Sequence, residues 1–348
     1  MNRVLLTGGL GYIGSHTAVV LAESGFEVVL YDNLSNSKHS VLDRLETITG
    51  VRFPFVEGDV RDTALLEDTL RSNSIEAVIH FAGLKAVGES VEQPLAYYDN
   101  NVVGVLSLAR AMQNVSVSTL VFSSSATVYG DPKYLPIDEA HPTSATNPYG
   151  RTKLHIEEML LDLAKSDPKW RIACLRYFNP VGAHESGLIG EDPNGIPNNL
   201  MPYIARVAAG SLPVLNVYGD DYNTPDGTGV RDYIHVMDLA EGHLAALRFL
   251  RNEPGCQVFN LGTGIGFSVW DMLRAFEVAS GQSIPSKVVA RRPGDVAVSY
   301  ANPSRARQSL GWCAARGLDV MCVSAWAFQQ ASATHIIAFG IPSTSGFT

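Results

Sequence analysis

The chain has 348 residues, of which 46% are hydrophobic, and its formal net charge is -9 at pH 7. This length allows one large domain or two ordinary ones, and the apolar fraction can supply a hydrophobic core. The negative charge argues against nucleic acid as the main partner, although a local cationic pocket for a small anion remains compatible with it. No apolar run of the sequence reaches the length of a membrane span.

The four cysteines, Cys174, Cys256, Cys313 and Cys322, have neither C-x-x-C spacing nor the spacing of zinc ligands. We therefore expect reduced thiols and no metal site. The first residues lead directly into a strand-like segment, without the long apolar stretch and cleavage site of a secretory signal. A cytoplasmic location is the corresponding expectation.

The first predicted unit is a strand at 4–7, a glycine-rich turn at 8–14 and a helix at 15–24 that Gly25 ends. Glycines at such a turn let the backbone bend sharply and approach a pyrophosphate, and the start of the helix offers free amides to the phosphates. Glycine-rich turns are common, so the pattern is weak by itself. Its position between a strand and a helix favours a dinucleotide site.

A second strand at 27–31 ends in Asp32, close to the spacing at which an acidic residue binds the adenosine ribose. A carboxylate there would repel a 2′-phosphate, and the next residue is Asn33 instead of an arginine. NAD is therefore favoured over NADP.

The alternation of strands and helices continues as far as residue 178. Strands are predicted at 53–56, 77–81, 119–122 and 172–177, and helices at 65–70, 94–112 and 149–163. This order predicts an α/β fold with a doubly wound parallel sheet of the Rossmann type. Beyond 178, glycine, proline and asparagine crowd the chain, so we predict a smaller, irregular C-terminal lobe attached to the dinucleotide domain.

Polar residues follow several predicted strands, where ligands bind in a doubly wound sheet. Asp59 would lie near the adenine, although a turn or helix-capping aspartate is an equally good interpretation. The small residues of the turn at 82–85 would let a cofactor pass close to the backbone, or they form only a tight connection. Ser125 closes a run of three serines that follows the strand at 119–122, where their hydroxyls are placed to meet a substrate.

Tyr149 and Lys153 are four residues apart at the start of a predicted helix, and therefore on one face of it. A nearby ammonium favours the phenolate, so Lys153 is expected to lower the pKa of Tyr149 from about 10 toward neutrality. Tyr149 would then be a base for a hydroxyl. On spacing alone, the pair is more often a solvated helix edge.

Six segments together resemble one enzyme family: TGGLGYIG at 7–14, HFAGLKAVGES at 80–90, SSSATVYG at 123–130, NPYGRTK at 147–153, RYFNPVGAH at 176–184 and GVRDYIH at 229–235. The chain resembles the extended short-chain dehydrogenases/reductases, and among them the group of UDP-hexose 4-epimerases. The resemblance extends to about Trp312. It implies a Rossmann domain at 1–178 and a UDP-sugar lobe at 179–348, with a segment at about 235–262 returning to the first domain.

The resemblance also implies a tightly bound NAD. The cofactor-binding residues that it implies are Gly8, Gly11, Tyr12, Ile13, Gly14, Asp32, Asn33, Asn36, Ser37, Asp59, Val60, Phe81, Ala82, Gly83, Lys85, Asn100, Ser123, Tyr149, Lys153 and Phe178. The UDP-sugar-binding residues that it implies are Lys85, Ser125, Tyr149, Phe178, Asn179, Asn199, Leu200, Asn216, Val217, Tyr218, Arg231, Arg292, Asp295 and Ser299.

The activity implied by the resemblance is inversion of C4 of a UDP-hexose through a 4-keto sugar. Tyr149 would be the catalytic base, Lys153 would hold its pKa down, and Ser125 would orient the hydroxyl. Ser299 is small where the family also carries tyrosine, so N-acetylated UDP-hexoses are expected as further substrates. A homodimer is expected as well.

Two alternatives remain open at this stage. A nucleotide-sugar 4,6-dehydratase would need a carboxylic acid just after the catalytic serine, where this chain has Ala126-Thr127. A non-catalytic dinucleotide-binding scaffold would often lack the Tyr149/Lys153 pair.

The C-terminal segment departs from the family pattern. A terminal helix is expected as far as about Trp326, but residues 320–348 contain no Asp, Glu, Lys or Arg. The apolar stretch at 336–339 could form a partner surface, or the segment could come from a shifted reading frame or a variant gene end.

Overall fold

The architecture was determined from a computed structural model that describes residues 2–292 and 294–338. The strands of this part are β1 (Arg3–Thr7), β2 (Glu27–Asp32), β3 (Phe55–Glu57), β4 (Ala77–His80), β5 (Thr119–Ser125), β6 (Arg171–Tyr177), β7 (Asn179–Val181), β8 (Leu215–Tyr218), β9 (Val230–His235), β10 (Gly255–Leu261), β11 (Gly266–Ser268), β12 (Ser286–Val289) and β13 (Val298–Ser299).

Helices alternate with these strands. They are α1 (Tyr12–Glu23), α2 (Ser40–Thr49), α3 (Thr63–Ser72), α4 (Val87–Glu92), α5 (Pro94–Tyr97), α6 (Gly104–Asn114), α7 (Pro148–Ser166), α8 (Leu200–Ala208), α9 (Val236–Phe249), α10 (Val269–Ser280) and α11 (Leu318–Ala338). Short π-helical segments lie at Tyr98–Val103 and Ala306–Leu310, and a 3-10 turn lies at Ala126–Tyr129.

The main sheet has seven parallel strands in the order β10-β6-β5-β4-β1-β2-β3. The order reverses direction at β1, because β2 lies on one side of it and β4 on the other. Ligands bind at such a switch point in doubly wound sheets, outside the carboxyl ends of the strands. Thr7 at the end of β1 pairs with both Tyr31 and His80, so the three strands end at one edge. The predicted fold class is confirmed.

Both faces of this sheet are covered, which explains why its strands are almost continuously apolar. On one face, Val19 and Leu21 of α1 pack with Leu239 and Leu247 of α9 in one buried cluster. On the other face, the buried cluster contains side chains of α3, α6 and α7.

The C-terminal lobe is built around β9, which pairs with β7, β11 and β13, while β8 and β12 form a separate parallel pair. Its core joins Ile204 of α8, Phe276 of α10 and Met321 of α11. After the first lobe strands, α9 and β10 return to the main sheet, where β10 pairs with β6. The division of the chain into domains at residue 178 stays a prediction.

Two of the predicted helices differ most from the structure. The helix predicted at 94–112 consists of α5, the π-helical segment and α6. The terminal helix α11 continues to Ala338, beyond Trp326, and buries Met321, Cys322 and Phe328. The side chains of the apolar stretch at 336–339, for which a partner surface was one prediction, lie outside the part of the chain whose side chains the structure describes. Among the described residues, no helix is both long and apolar enough to cross a membrane.

Candidate active site

The glycine turn between β1 and α1 is shaped by close backbone contacts. Gly8 has a φ of 67°, and a Cβ at this position would lie 2.6 Å from the amide nitrogen of Ala82. A Cβ on Gly14 would lie 2.3 Å from the Gly8 carbonyl oxygen. Helix α1 begins after Gly11 with neither a side-chain cap nor an acidic residue in its first turn. Its free amides and the uncrowded turn therefore fit a pyrophosphate.

Asp32 at the end of β2 connects the glycine turn to β2. Its carboxylate accepts hydrogen bonds from the amide of Leu10 (3.1 Å), the amide of Leu34 (2.9 Å) and the hydroxyl of Ser37 (2.8 Å). The same carboxylate lies at the edge where a ribose would bind beside a dinucleotide pyrophosphate. The position fits NAD, whose ribose carries free hydroxyls.

The predicted adenine-side residues form a second cluster. Asn33 donates to the Asp59 carboxylate over 3.2 Å, and Arg61 binds the same carboxylate at 2.8 Å. The Arg61 hydrogen bonds hold the pKa of Asp59 well below its usual range. Val60 is buried beside Asp59. Asn36 lies farther out and accepts a 3.4 Å hydrogen bond from Asn194 of the other lobe.

The turn at 82–85 is held by Asn101, a buried residue of the π-helical segment. Its side chain accepts from the Leu84 amide (2.8 Å), and donates to the Leu84 carbonyl (3.0 Å) and to Thr152 on α7 (3.1 Å). A π-helical turn inside an α-helix frequently marks a functional site. The predicted Asn100 contacts this turn only through Asn101, to which it donates over 3.0 Å.

Lys153 is the buried cation of the site. Its ammonium donates a 2.7 Å hydrogen bond to the Ser123 carbonyl and lies 4.9 Å from the centre of the Phe122 ring. Burial lowers the pKa of Lys153 to about 8, although Glu157 one turn along α7 opposes the shift. The turn at 82–85 is adjacent, because a Cβ on Gly83 would lie 3.7 Å from the ammonium.

Tyr149 lies in the first turn of α7, which Asn147 caps by accepting from the Gly150 amide at 2.9 Å. Burial raises the pKa of Tyr149 above its usual 10, and the Ser125 hydrogen bond and the Lys85 charge offset only part of this rise. The Lys153 ammonium lies 5.9 Å from the centre of the tyrosine ring.

The prediction that Lys153 lowers the pKa of Tyr149 is therefore wrong for the protein chain taken by itself. The two residues share a helix face as predicted, but the ammonium points to the Ser123 carbonyl at the end of the sheet. The cation that acts on the phenol is Lys85, from the turn after β4.

Ser125 ends β5 with its hydroxyl oriented by its neighbours. The oxygen accepts from the amide of Thr127 at 3.2 Å and from the hydroxyl of Thr127 at 3.0 Å. Because the oxygen already accepts twice, the Ser125 proton is available for donation. The acceptor can be the Tyr149 oxygen or a substrate oxygen.

The predicted sugar-phosphate residues come from several elements of the lobe. Arg231 on β9 lies 3.7 Å from Asp295 and pairs in register with Ser299 of β13. The Arg292 guanidinium stacks over the Tyr218 ring at 3.9 Å. Both guanidinium groups are of the kind that bind diphosphates.

The remaining predicted residues occupy the ends and surfaces of elements. Asn179 begins β7, Asn199 precedes α8 and Leu200 is its first residue, while Asn216 and Val217 lie on β8. The buried Asn216 side-chain oxygen has no hydrogen-bond partner in the described structure, so it is free to meet a ligand. Phe178 is buried against Val128 and Ile137, and Ile13 and Phe81 pack at the edge of the core of the main sheet.

Tyr12 connects the cofactor side to the lobe, because its hydroxyl donates to the Gly182 carbonyl at 2.7 Å. Two further residues were missed by sequence reasoning. Asn101 sits next to the predicted Asn100, and only the π-helical geometry turns it inward. Glu191 contacts both Lys85 and Asn199, and its position among glycines and prolines gave no periodic signal.

The family of the chain follows from comparison with known proteins. A model of the NAD dependent epimerase/dehydratase family matches residues 4–262. The chain belongs to this family. Membership of the NAD dependent epimerase/dehydratase family agrees with the glycine turn, the Asp32 carboxylate and the Tyr149/Lys153 helix described above.

Individual relatives within the family are similar over almost their whole length. A UDP-glucose 4-epimerase from Mus musculus is 57% identical over 337 residues, which covers 95% of this chain and 97% of that protein. A UDP-glucose-4-epimerase from Stenotrophomonas maltophila, solved with NAD and formylated UDP-arabinopyranose, superposes with a TM-score of 0.95 at 52% identity, covering 96% of this chain and 100% of that one. The Bifidobacterium longum enzyme, solved with NAD+ and UDP, superposes at 0.93 with 53% identity, covering 95% and 99% of the two chains.

Proposed function

We propose that the chain is a UDP-glucose 4-epimerase, an isomerase that inverts C4 of a UDP-hexose through a 4-keto sugar and uses bound NAD. The observation that carries the proposal is the Tyr149 ring at the carboxyl edge of the sheet, with the Lys153 ammonium 5.9 Å from its centre and with the Ser125 hydrogen bond and the Lys85 charge acting on its phenol. Similarity to UDP-glucose 4-epimerases over 95% of the chain supports it.

NAD fits the residues at the switch point. The glycine turn and the first amides of α1 would hold its pyrophosphate, Asp32 its adenosine ribose, and Lys153 the ribose next to the nicotinamide. When bound, NAD supplies a hydride acceptor that is restored at the end of each turnover.

The chain itself moves the proton. Tyr149, in the phenolate form that the positive charge of bound NAD would favour, takes the proton of the sugar 4-hydroxyl as C4 is oxidised, and returns it when C4 is reduced from the other face. Ser125 donates a hydrogen bond that orients the reacting oxygen or stabilises the phenolate. Lys85 supplies the positive charge that opposes the effect of burial on the phenol.

The UDP part of the substrate would be held by the lobe. Arg231 and Arg292 present guanidinium groups for the diphosphate, and Asn179 and Asn199 present amides for phosphate or sugar. Asn216 offers its unpartnered oxygen to a donor of the ligand. Holding the UDP while the 4-keto sugar turns would explain how both faces of C4 can be presented to one reaction centre.

The structure favours epimerisation over 4,6-dehydration. A dehydratase needs an acid to protonate the leaving hydroxyl, and the residues after Ser125 are Ala126 and Thr127. The Thr127 hydroxyl donates to Ser125, and a hydroxyl is far too weak an acid to replace a carboxylic acid. The retained Tyr149/Lys153 pair also argues against a non-catalytic scaffold.

We further propose that UDP-N-acetylhexosamines are substrates. Ser299 is half-buried and pairs in register with Arg231 on the neighbouring strand. A small side chain at this position leaves room for an N-acetyl group near the diphosphate-binding arginine.

We also propose a homodimer. Large apolar side chains are exposed on α4, α5, the following π-helical segment and α7, and the family resemblance implies a dimer formed by two helices of the dinucleotide domain from each subunit. They are Val87, Val91, Leu95, Val103 and Leu161, and Leu95 is 82% exposed. Such a patch is commonly buried in an interface.

A cytoplasmic location is proposed with these assignments. The sulfurs of Cys174 and Cys256 lie 3.8 Å apart as free thiols. A reducing compartment maintains this state, and fractionation of the producing cells tests the location.

The decisive experiment is to incubate the purified chain with UDP-galactose, without added NAD, and to follow formation of UDP-glucose. We expect interconversion to an equilibrium mixture. The Tyr149→Phe variant should lose about 10²- to 10⁴-fold in kcat because it lacks the proton acceptor, while still binding NAD. Near-full activity of that variant, or accumulation of a dehydrated sugar with the unaltered protein, would contradict the proposal.

A further inference from the structure

Glu191 is a nearly buried carboxylate between the two halves of the cleft. One of its oxygens accepts a 3.0 Å hydrogen bond from the Lys85 ammonium and a 2.6 Å hydrogen bond from the Asn199 amide. The Glu191 side chain is only 10% exposed, whereas that of Lys85 is 50% exposed. A carboxylate so far removed from water requires such partners, so the two hydrogen bonds of Glu191 hold Lys85 and Asn199 to one point of the cleft.

We propose that Glu191 is a positioning residue: it binds Lys85 from the turn after β4 and Asn199 from the start of α8, and thereby holds the Lys85 ammonium in the cleft, where its charge acts on the Tyr149 phenol. This inference rests on the proposed function, because it assigns a role to Lys85 in the same reaction. Glu191 lies outside the glycine turn, the Tyr149/Lys153 helix and the arginines of the lobe, to which the proposed function assigns roles.

The arrangement leaves Lys85 available for a ligand. An ammonium has three donors, and Glu191 engages one of them. Lys85 also lies 6.0 Å from the centre of the Tyr12 ring, at the N-terminal end of α1. Burial would lower the pKa of Lys85, but pairing with Glu191 outweighs it and raises this pKa, so the charge is retained.

The effect on Tyr149 passes through Lys85. Three titratable groups interact electrostatically with Tyr149: Lys85 from the turn after β4, Tyr97 from α5 and Tyr177 from β6. On α7 itself, the Lys153 ammonium lies 5.9 Å from the centre of the Tyr149 ring. Lys85 is the charge that lowers the pKa of the phenol, whereas the charge of Glu191 acts on Lys85 and Tyr12. Without Glu191 the half-exposed Lys85 side chain is released to solvent, and its influence on the phenol weakens.

The test is a titration of the Tyr149 phenol by its ultraviolet phenolate absorbance. Each protein is compared with the same protein carrying Tyr149→Phe, so that the difference reports one tyrosine. We expect Glu191→Ala to move the titration to higher pH by about half a unit to one unit, and Lys85→Met to do the same. The double variant should move no further, because both changes remove one interaction.

The matched control is the neighbouring carboxylate. Asp192 pairs with Lys38 and Arg206, so Asp192→Asn should leave the phenol titration unchanged. Glu191→Gln keeps the size of the side chain and one acceptor oxygen, and should move the titration in the same direction by a smaller amount. This variant carries the test if Glu191→Ala does not fold.

An unchanged titration in both Glu191 variants, a shift to lower pH, or additive shifts in the double variant would overturn the inference. The titration needs no sugar substrate, so it can fail while the chain still interconverts UDP-hexoses. In activity assays, the acid limb of kcat should move to higher pH in Glu191→Ala, together with an increase in KM through loss of the Asn199 contact. A uniform fall of kcat at every pH would indicate a structural role only.

Discussion

Lys153 is an ammonium group held almost entirely out of water. Its side chain lies over Phe122 and donates to the Ser123 carbonyl, and burial lowers its pKa to about 8. In the unfolded chain this pKa is about 10.4. Between these two values the unfolded chain binds more protons than the folded one, and the free energy of unfolding therefore rises with pH.

Lys153→Met should abolish this rise. From about pH 8 to about pH 10 the stability of the unaltered protein should gain about 2 kcal/mol relative to the variant. Urea unfolding at the two pH values measures the difference, and Lys165→Met on the exposed side of the same helix serves as the control. Parallel pH dependences of the unaltered protein and Lys153→Met would contradict the burial of a charged Lys153.

A substitution of Ser299 tests whether this side chain sets the space available to the sugar. Ser299→Tyr adds an aromatic ring next to Arg231, with which Ser299 pairs in register. We expect turnover of UDP-N-acetylglucosamine to fall about tenfold or more while turnover of UDP-glucose is largely kept, because only the N-acetyl group needs the space. Equal losses for both substrates would place Ser299 away from the 2-position of the sugar.

At the scale of elements, a buried ion pair connects α7 to the main sheet. Glu157 of α7 and Arg176 of β6 approach to 2.6 Å with both side chains almost fully buried. Arg176 also donates to the Tyr129 hydroxyl at 2.9 Å, and this hydroxyl donates to Asn260 on β10 at 2.7 Å. The helix that carries Tyr149 and Lys153 is thus fixed to β6 and, through Tyr129, to β10.

Removing only the cation should be costly. Arg176→Leu leaves Glu157 buried without its charge partner, and we expect the free energy of unfolding to fall by about 3–5 kcal/mol. The double variant with Glu157→Leu should recover part of this loss, because no uncompensated charge remains. Denaturant titrations of the three proteins decide the matter, and a double variant no more stable than Arg176→Leu would show that the charge is not the cause.

At the scale of the whole molecule, the exposed apolar patch on α4, α5 and α7 provides a test of the proposed dimer. Leu95→Glu places a charge at its most exposed member, and we expect the mass in solution to halve in light scattering after gel filtration. Val278 on α10 is 86% exposed and lies outside the patch. Val278→Glu should leave the mass unchanged, and an unchanged mass for Leu95→Glu would disprove this interface.

The sequence by itself determined the features that depend on local spacing. The strand, glycine turn and helix at the start of the chain, Asp32 at the end of β2 and the shared helix face of Tyr149 and Lys153 all follow from periodicity within one element or two consecutive ones. These patterns were sufficient for the parallel sheet and for the edge at which the site lies. The motifs identified the family because each is short and continuous.

Only the tertiary structure decided which groups act on one another. Lys85, Asn101 and Glu191 are distant in sequence from Tyr149, and the crossover of strands brings them to the same edge. The pKa of Tyr149 is raised and not lowered in the chain itself, because burial depends on every element around the ring and the Lys153 ammonium turns toward Ser123. Spacing along a helix fixes the face on which a side chain lies, whereas the surrounding packing and charges fix its acidity.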